Sequence, residues 1–228
     1  MINKGKKATL LSFVGTCFLL FGSSTFAKEY KAGDLTSFKD WKSFCESVPF
    51  WQKGLEVPGN EVYKKFGFEP INANAIMKKN GNKTVLDNRF HYKKNKNGWL
   101  FIDARSKPDR SAGTIRRSVS ITSDYSFEKN KEKNPKLAES DASRKLNEFR
   151  DESTFLALLN DGFKLGKAKK TYNKIADIDK EIVLFCNGKK CHRSTWGACM
   201  LRTLGYKKPV KIMLGGFPEW KDAGLPTN

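Results

Sequence analysis

The stretch Ile182–Thr195 reads IVLFCNGKKCHRST and holds the residue types best suited to chemistry. Four apolar, mostly β-favouring residues lead straight into Cys186. A polar loop of Asn187, Gly188, Lys189 and Lys190 follows, then Cys191, His192, Arg193 and Ser194, the last placed to cap a helix that starts there. A buried strand that ends in a cysteine, at the mouth of a loop opening a helix, suits thiolate chemistry. Loop amides and a helix N-terminus are donors without partners, and they stabilise negative charge. A thiol placed among them loses its proton more readily and can carry an anionic group beside it.

The elements that would position this loop can be read from pattern. Trp99–Ile102 is a compact apolar run that ends at Asp103, Ala104 and Arg105, as a buried parallel strand would. Val119–Ile121 is a second short strand, Ile182–Phe185 a third and Val210–Leu214 a fourth. Phe155, Leu158, Leu159 and Phe163 mark an amphipathic helix over 154–165. A helix over 194–204 stops at Gly205, and a short one over 217–222 carries Trp220. Strands alternating with helices predict an α/β fold with a mainly parallel sheet, whose site lies at the strands' carboxyl ends. Asp103, Arg105 and the Cys186 loop all fall at such ends. Upstream, Phe38, Trp41, Phe44 and Cys45 share a helical spacing that predicts a core-facing stripe, and a helix is expected over Asn72–Lys79. Trp196 and Cys199 are expected in the core. From Asp124 to Glu152 the chain is dense in charge and reads as a solvated helix or insertion.

Composition narrows the classes. The 228 residues carry a net charge of +19, which suits a polyanion, an anionic surface or a small anion. The lysines are scattered, however, and no segment interleaves them with aromatics, so nucleic acid is not expected as a partner. Residues 1–27 have the build of a secretory signal: Lys4, Lys6 and Lys7, an apolar run from Leu10 to Phe21 too short to span a bilayer, and Thr25-Phe26-Ala27 before the cleavage point. An uncleaved anchor, or a lipoprotein through Cys17, fits less well. A periplasmic protein with no membrane span in its mature chain is therefore expected. Four cysteines remain there, enough for two disulfides but too few for a disulfide scaffold. Cys45 reads as a small buried residue or a disulfide partner. The cysteines and the two histidines, His91 and His192, show no zinc-type spacing, and neither a metal nor a cofactor is expected.

Several separated pieces resemble one family, the rhodanese-like sulfurtransferase domains. They are WLFIDARS (99–106), GTIRRSVSI (113–121), IVLFCNGKKCHRS (182–194), LGY (204–206), GGFPEW (215–220) and AGLP (223–226). The loop is similar to that of exported single-domain members reading CNGxxCxRS. The resemblance implies a three-layer α/β domain over 99–228, with a central, mainly parallel sheet flanked by helices and a charged insertion at about 124–152. Residues 28–98 are then a partly helical N-terminal extension. It also implies that Cys186 is the nucleophile and that Asn187, Gly188, Lys189, Lys190, Cys191, His192, Arg193 and Ser194 form the substrate-binding loop. Lys189, Lys190 and Arg193 would lower the thiol pKa and draw in a small sulfur-containing anion such as thiosulfate, and a thiol or cyanide would accept the sulfur. Asp103 and Arg105 would brace neighbouring loops.

Three alternatives stand beside that assignment: Cys191 as nucleophile, a Cys186–Cys191 disulfide that makes the loop a redox element, and a binding module without turnover. A protein partner could dock on the N-terminal region or the insertion. The sequence departs from the family at Gly113–Ser118, where Gly-His-Ile-Pro-Gly-Ala is common, and in the loop, where six residues rather than four separate the cysteine from Arg193-Ser194. A phosphatase on this fold needs five residues between cysteine and arginine. That position is His192 after Cys186 and Gly197 after Cys191, so this chemistry is excluded by spacing.

Overall fold

Every residue of Leu100–Asp103, Ile182–Phe185 and Val210–Met213 is buried. Continuous burial is what a parallel strand covered on both faces requires, and it explains their near-continuous apolar sequence. The computed structural model describes residues 38–51, 60–80, 83–86, 90, 98–125, 147–164 and 171–228. In chain order the helices are α1 (Trp41–Trp51), α2 (Asn60–Lys65), α3 (Lys107–Arg110), α4 (Glu152–Gly162), α5 (Arg193–Thr203) and α6 (Gly216–Asp222). The strands are β1 (Phe68–Ile71), β2 (Met77–Asn80), β3 (Lys83–Leu86), β4 (Leu100–Asp103), β5 (Val119–Ser120), β6 (Ile182–Phe185) and β7 (Val210–Met213). Five strands form one sheet in the order β1-β7-β6-β4-β5, with every neighbouring pair parallel. β2 and β3 form a separate antiparallel pair.

Side chains alternate across a strand, so the sheet separates two cores. Leu100, Ile102, Ile182, Leu184, Val210 and Ile212 belong to one, with Phe44, Tyr63, Phe155, Leu159, Ala198 and Leu201 from the helices. Phe101, Val183, Phe185 and Met213 belong to the other, with Ile76, Phe90, Phe217 and Trp220. This is the three-layer α/β arrangement expected from the sequence. The helix beginnings follow local chemistry: Asp151 caps α4 by accepting from the Thr154 amide at 2.8 Å.

Several expectations are corrected. The segment from Asn72 is not a helix. The Asn72 side chain accepts from the Ala75 amide and caps a tight 3-10 turn over Ala73–Ile76, after which the chain extends as β2. Of the aromatic stripe on α1, Phe44 is fully buried with Cys45 and Val48, whereas Trp41, in the first turn, is 39% exposed. Trp196 is only partly buried against the core. The charged stretch is anchored at both ends, by buried Asp124 and by buried Asn147 and Phe149, while 126–146 lie outside the described residues, as do the signal segment and His91. The sheet also draws β1 from the region read as an N-terminal extension. Pro70 sits there on an edge strand, where the missing N–H costs least.

Cys45 and Cys199 are joined in a disulfide with their Cα atoms 5.6 Å apart, fastening α1 to α5 across 154 residues of sequence. Both cysteines are buried. Closing so long a loop removes chain entropy from the unfolded state, worth roughly 3–5 kcal/mol. Replacing both by serine should lower the unfolding free energy by about that amount in urea titration; a loss below about 1 kcal/mol would show that the α1–α5 contact holds without the bond.

Candidate functional site

The strands end on one line. Ser120 pairs with Asp103, Asp103 with Phe185, Phe185 with Met213 and Met213 with Ile71. The loops that leave β4, β6 and β7 therefore emerge side by side, and Cys186 is the first residue out of the central strand. It is 1% exposed, and its carbonyl accepts from the Phe217 amide at 2.8 Å. Gly216 makes this approach possible. Its φ is +62°, and a Cβ there would lie 2.1 Å from the Cys186 carbonyl oxygen and 2.6 Å from the Gly188 nitrogen. Gly188, at φ +117°, turns the loop, and the Cys191 amide donates to its carbonyl at 2.9 Å. That turn folds Cys191 back onto Cys186. Their Cα atoms are 6.0 Å apart and the two are joined in a disulfide. Cys191 is partly exposed where Cys186 is buried.

α5 opens at Arg193, two residues beyond Cys191. The N–H groups of Arg193, Ser194 and Thr195 have no acceptor within the helix by its geometry, so the loop runs into the positive end of an eleven-residue dipole. Ser194 does not cap the helix as expected. The cap position falls on His192, without a side-chain hydrogen bond, and Ser194 is buried in the first turn. The His192 ring packs edge-on to Tyr125, which packs in turn against Trp196.

Asp103 and Arg105 brace the site from β4. Arg105 is 1% exposed and forks onto Asp103, Nε to Oδ1 at 2.9 Å and Nη2 to Oδ2 at 2.7 Å. Its other donors reach the carbonyls of Gly113 and Asp109, and Thr114 donates its hydroxyl to Asp103. The guanidinium lies 4.4 Å from the ring centroid of Phe217, the residue whose amide holds Cys186. One buried ion pair thus ties the loop after β4 to the helix after β7 and, through Phe217, to the cysteine.

The loop cations divide into two kinds. Arg193 faces carboxylates: Nη1 is 2.8 Å from Asp109 and Nη2 is 3.5 Å from Asp124. The Ser106 hydroxyl, with the Arg193 charge and the Asn187 side chain behind it, holds the Asp109 carboxyl below the usual carboxylate range despite some opposing desolvation. Arg193 is therefore charge-compensated, and the cationic face of the loop falls to Lys189 and Lys190, both exposed. Beside Lys189 a cavity of about 390 Å³ opens, lined also by Ile71, Asn72, Leu214, Gly215 and Glu219. Glu219 accepts from the Ala73 amide with Oε1, while Oε2 is buried without a hydrogen bond.

The residues expected from sequence at 186–194 are thus together at the carboxyl edge, with Asp103 and Arg105 beneath them. Asp109, Asp124, Gly216 and Phe217 were missed. Asp109 lies 84 positions from the arginine it binds, and no local spacing announces such a pair. The Gly215–Gly216 doublet signalled a turn but not its contact with Cys186. No group of three or more Cys, His, Asp or Glu suited to a metal occurs among the described residues, and no helix among them is long and apolar enough to cross a membrane.

A parallel α/β sheet that presents a strand-end cysteine at the start of a helix defines a class in which the loop carries the chemistry. Residues 78–223 match the family model of the rhodanese-like domain, and the chain belongs to that family. The fold is similar to that of a thiosulfate sulfurtransferase from Pseudomonas aeruginosa (13% identity, 79% of this chain and 26% of that one, TM-score 0.36). It is also similar to Ygr203w from Saccharomyces cerevisiae, a homologue of single-domain rhodanese and of the Cdc25 phosphatase catalytic domain (12% identity, 68% and 81%, TM-score 0.36). A third similar structure is RPA3614 from Rhodopseudomonas palustris, described as a possible tyrosine phosphatase (23% identity, 61% and 76%, TM-score 0.34). A comparison with curated proteins found no match.

Two substitutions test the bracing. Asp103→Asn leaves the Arg105 charge buried without its counter-ion and should cost about 3–5 kcal/mol in chemical denaturation; a change within about 0.5 kcal/mol would show that the pair is dispensable. Gly216→Ala forces a methyl group onto the Cys186 carbonyl and should cost on the order of 2 kcal/mol or more. The loop displacement should also slow alkylation or sulfur uptake at Cys186 beyond what the stability loss explains, and an unchanged rate would separate Gly216 from the site.

Proposed function

We propose that this protein is an exported, thiol-dependent sulfurtransferase in which Cys186 is the nucleophile. The observation that carries the proposal is the position of Cys186: the first residue beyond the central strand of a rhodanese-like sheet, held by the Phe217 amide, at the entrance to a loop that feeds the N-terminus of α5. A thiolate there attacks the outer sulfur of a donor such as thiosulfate. The new bond joins Cys186 Sγ to that sulfur, the donor's sulfur–sulfur bond breaks, and sulfite leaves with the bonding pair. The loop then holds a persulfide until an acceptor thiol or cyanide removes its outer sulfur. The start of α5 and the loop amides of 187–193 other than that of Cys191 stabilise the anionic sulfur, and Lys189 and Lys190 attract the donor. Arg193 acts instead as a positioning residue that fastens the loop to Asp109 and Asp124.

Cleavage after Ala27 and passage to the periplasm are part of the same proposal, motivated by the signal-like build of residues 1–27. Two disulfides within one domain belong to an oxidising compartment. No resident cofactor is required. The acceptor is a thiol, and a protein partner would meet the site through the N-terminal region or the charged stretch at 124–152.

The Cys186–Cys191 disulfide favours a second reading, a redox or binding module without sulfur transfer, because Cys186 has no thiolate until that bond is reduced. The two readings separate cleanly. After reduction and addition of thiosulfate, the chain carrying Cys191→Ser, in which no second thiol can remove the sulfur, should gain the mass of one sulfur atom on the peptide containing Cys186, and adding Cys186→Ser should abolish the gain. A gain of equal size on Cys186→Ser would remove the assignment to Cys186. No gain and no thiocyanate with any sulfane donor would leave the module reading.

A further inference from the structure

The disulfide at the site raises a question that sulfur transfer alone does not answer: what a second cysteine does within reach of the first. We propose that Cys191 is the resolving thiol of Cys186, so that the protein reduces sulfane sulfur to hydrosulfide and is returned to its reduced form by an external dithiol. The inference rests on the sulfurtransferase reading of Cys186 and adds the fate of the sulfur and the class of the partner.

Four observations carry it. The loop is shaped to bring the two sulfurs together: Gly188 turns the chain at φ +117°, the Cys191 amide closes onto the Gly188 carbonyl, and the Cα atoms lie 6.0 Å apart within the bonded pair. The pair is asymmetric, with Cys186 buried at the strand end and Cys191 partly exposed. The loop opens α5, whose first amides lack acceptors within the helix, so a sulfur leaving from Cys186, or the Cys186 thiolate itself, departs in a field that favours an anion. The second disulfide differs on each count. Cys45 and Cys199 are both buried and bridge α1 to α5 across 154 residues, so that bond is structural and the loop bond is the one a reductant reaches.

The chemistry balances. With the persulfide formed, the Cys191 thiolate attacks Cys186 Sγ. The Cys186–Cys191 bond forms, the bond from Cys186 Sγ to the outer sulfur breaks, and that sulfur leaves with the electron pair as hydrosulfide, taking the proton that Cys191 gave up. The two cysteines lose two electrons and the sulfane sulfur gains them. The observed disulfide is the product of this step. An external thiolate then attacks Sγ of the partly exposed Cys191 and expels Cys186 as thiolate. With a monothiol, Cys186 lies within reach to attack back and close the loop again. With a dithiol, the second sulfur resolves the mixed disulfide, the reductant leaves as its own disulfide, and both cysteines are free.

The test is a single-turnover measurement on the mature chain, reduced, freed of small thiols and given one equivalent of thiosulfate, with released hydrosulfide and whole-protein mass read together. The wild-type protein should release one hydrosulfide per chain, stop at the mass of the oxidised loop, and release more only when dithiothreitol and further thiosulfate are both added. Cys191→Ser and Cys191→Ala should instead retain the added sulfur and release hydrosulfide at background level until dithiothreitol is supplied. If the wild type keeps the sulfur as these variants do, or if the variants release hydrosulfide as the wild type does, Cys191 does not resolve the persulfide, and the sulfurtransferase reading survives without it. If neither the wild type nor the variants take up sulfur or release hydrosulfide, the reading of Cys186 fails, and this inference fails with it.

Discussion

The geometry of the site depends on one buried ion pair. Asp103 and Arg105 leave the end of β4 and lock together out of solvent. Such a pair contributes little net stability compared with an apolar substitute, because both charges must be stripped of water. Its value is positional. The guanidinium is planar and spends its donors on Asp103 and on two loop carbonyls, and its face lies on Phe217. Phe217 in turn holds the Cys186 carbonyl. A cysteine on a free loop would wander; here three loops from three strands are fixed to one another beneath it.

Charge at the loop is arranged by the same logic. An arginine beside a reactive cysteine suggests an anion grip, yet two carboxylates already occupy Arg193. The lysines stay exposed and form the cationic face of the loop, while the arginine fastens the start of α5 to the loop after β4. Separating these roles lets the loop be both cationic toward solvent and rigid at its base. Within that frame the second cysteine has a consequence of its own: Cys191 closes a disulfide onto Cys186, and that bond must be reduced before Cys186 can act as a thiolate.

Much of this was legible in the sequence. The strands β4, β6 and β7 are continuous apolar runs because both faces are covered, and that same continuity carries the family resemblance. Cys186 stands out because a strand-end cysteine before a Gly- and Lys-rich loop is an unusual conjunction. Other parts left no local trace. β1 contains Glu69 and Pro70, and it is a strand only because β7 offers it an edge. The segment after Asn72 has helix-tolerant residues but no apolar stripe, so a side-chain cap and a hairpin decided its form. Trp41 shares the spacing of Phe44 and Cys45 yet stays at the surface, since periodicity names a face and not how far the core extends along it. The partners of Arg193 are distant in sequence, and only the folded sheet, which sets the loops after β4, β5 and β6 side by side, brings them together.

The central claim is that the carboxyl end of β6 makes Cys186 a stabilised thiolate. The most direct measurement is the pH dependence of the alkylation rate of Cys186 in reduced Cys191→Ser protein, followed by mass spectrometry of the Cys186 peptide. A midpoint at least about one unit below the free-thiol value of roughly 8.5 is the result this account predicts. A midpoint at or above that value would contradict it, because the loop amides and the start of α5 would then lend the sulfur no stabilisation.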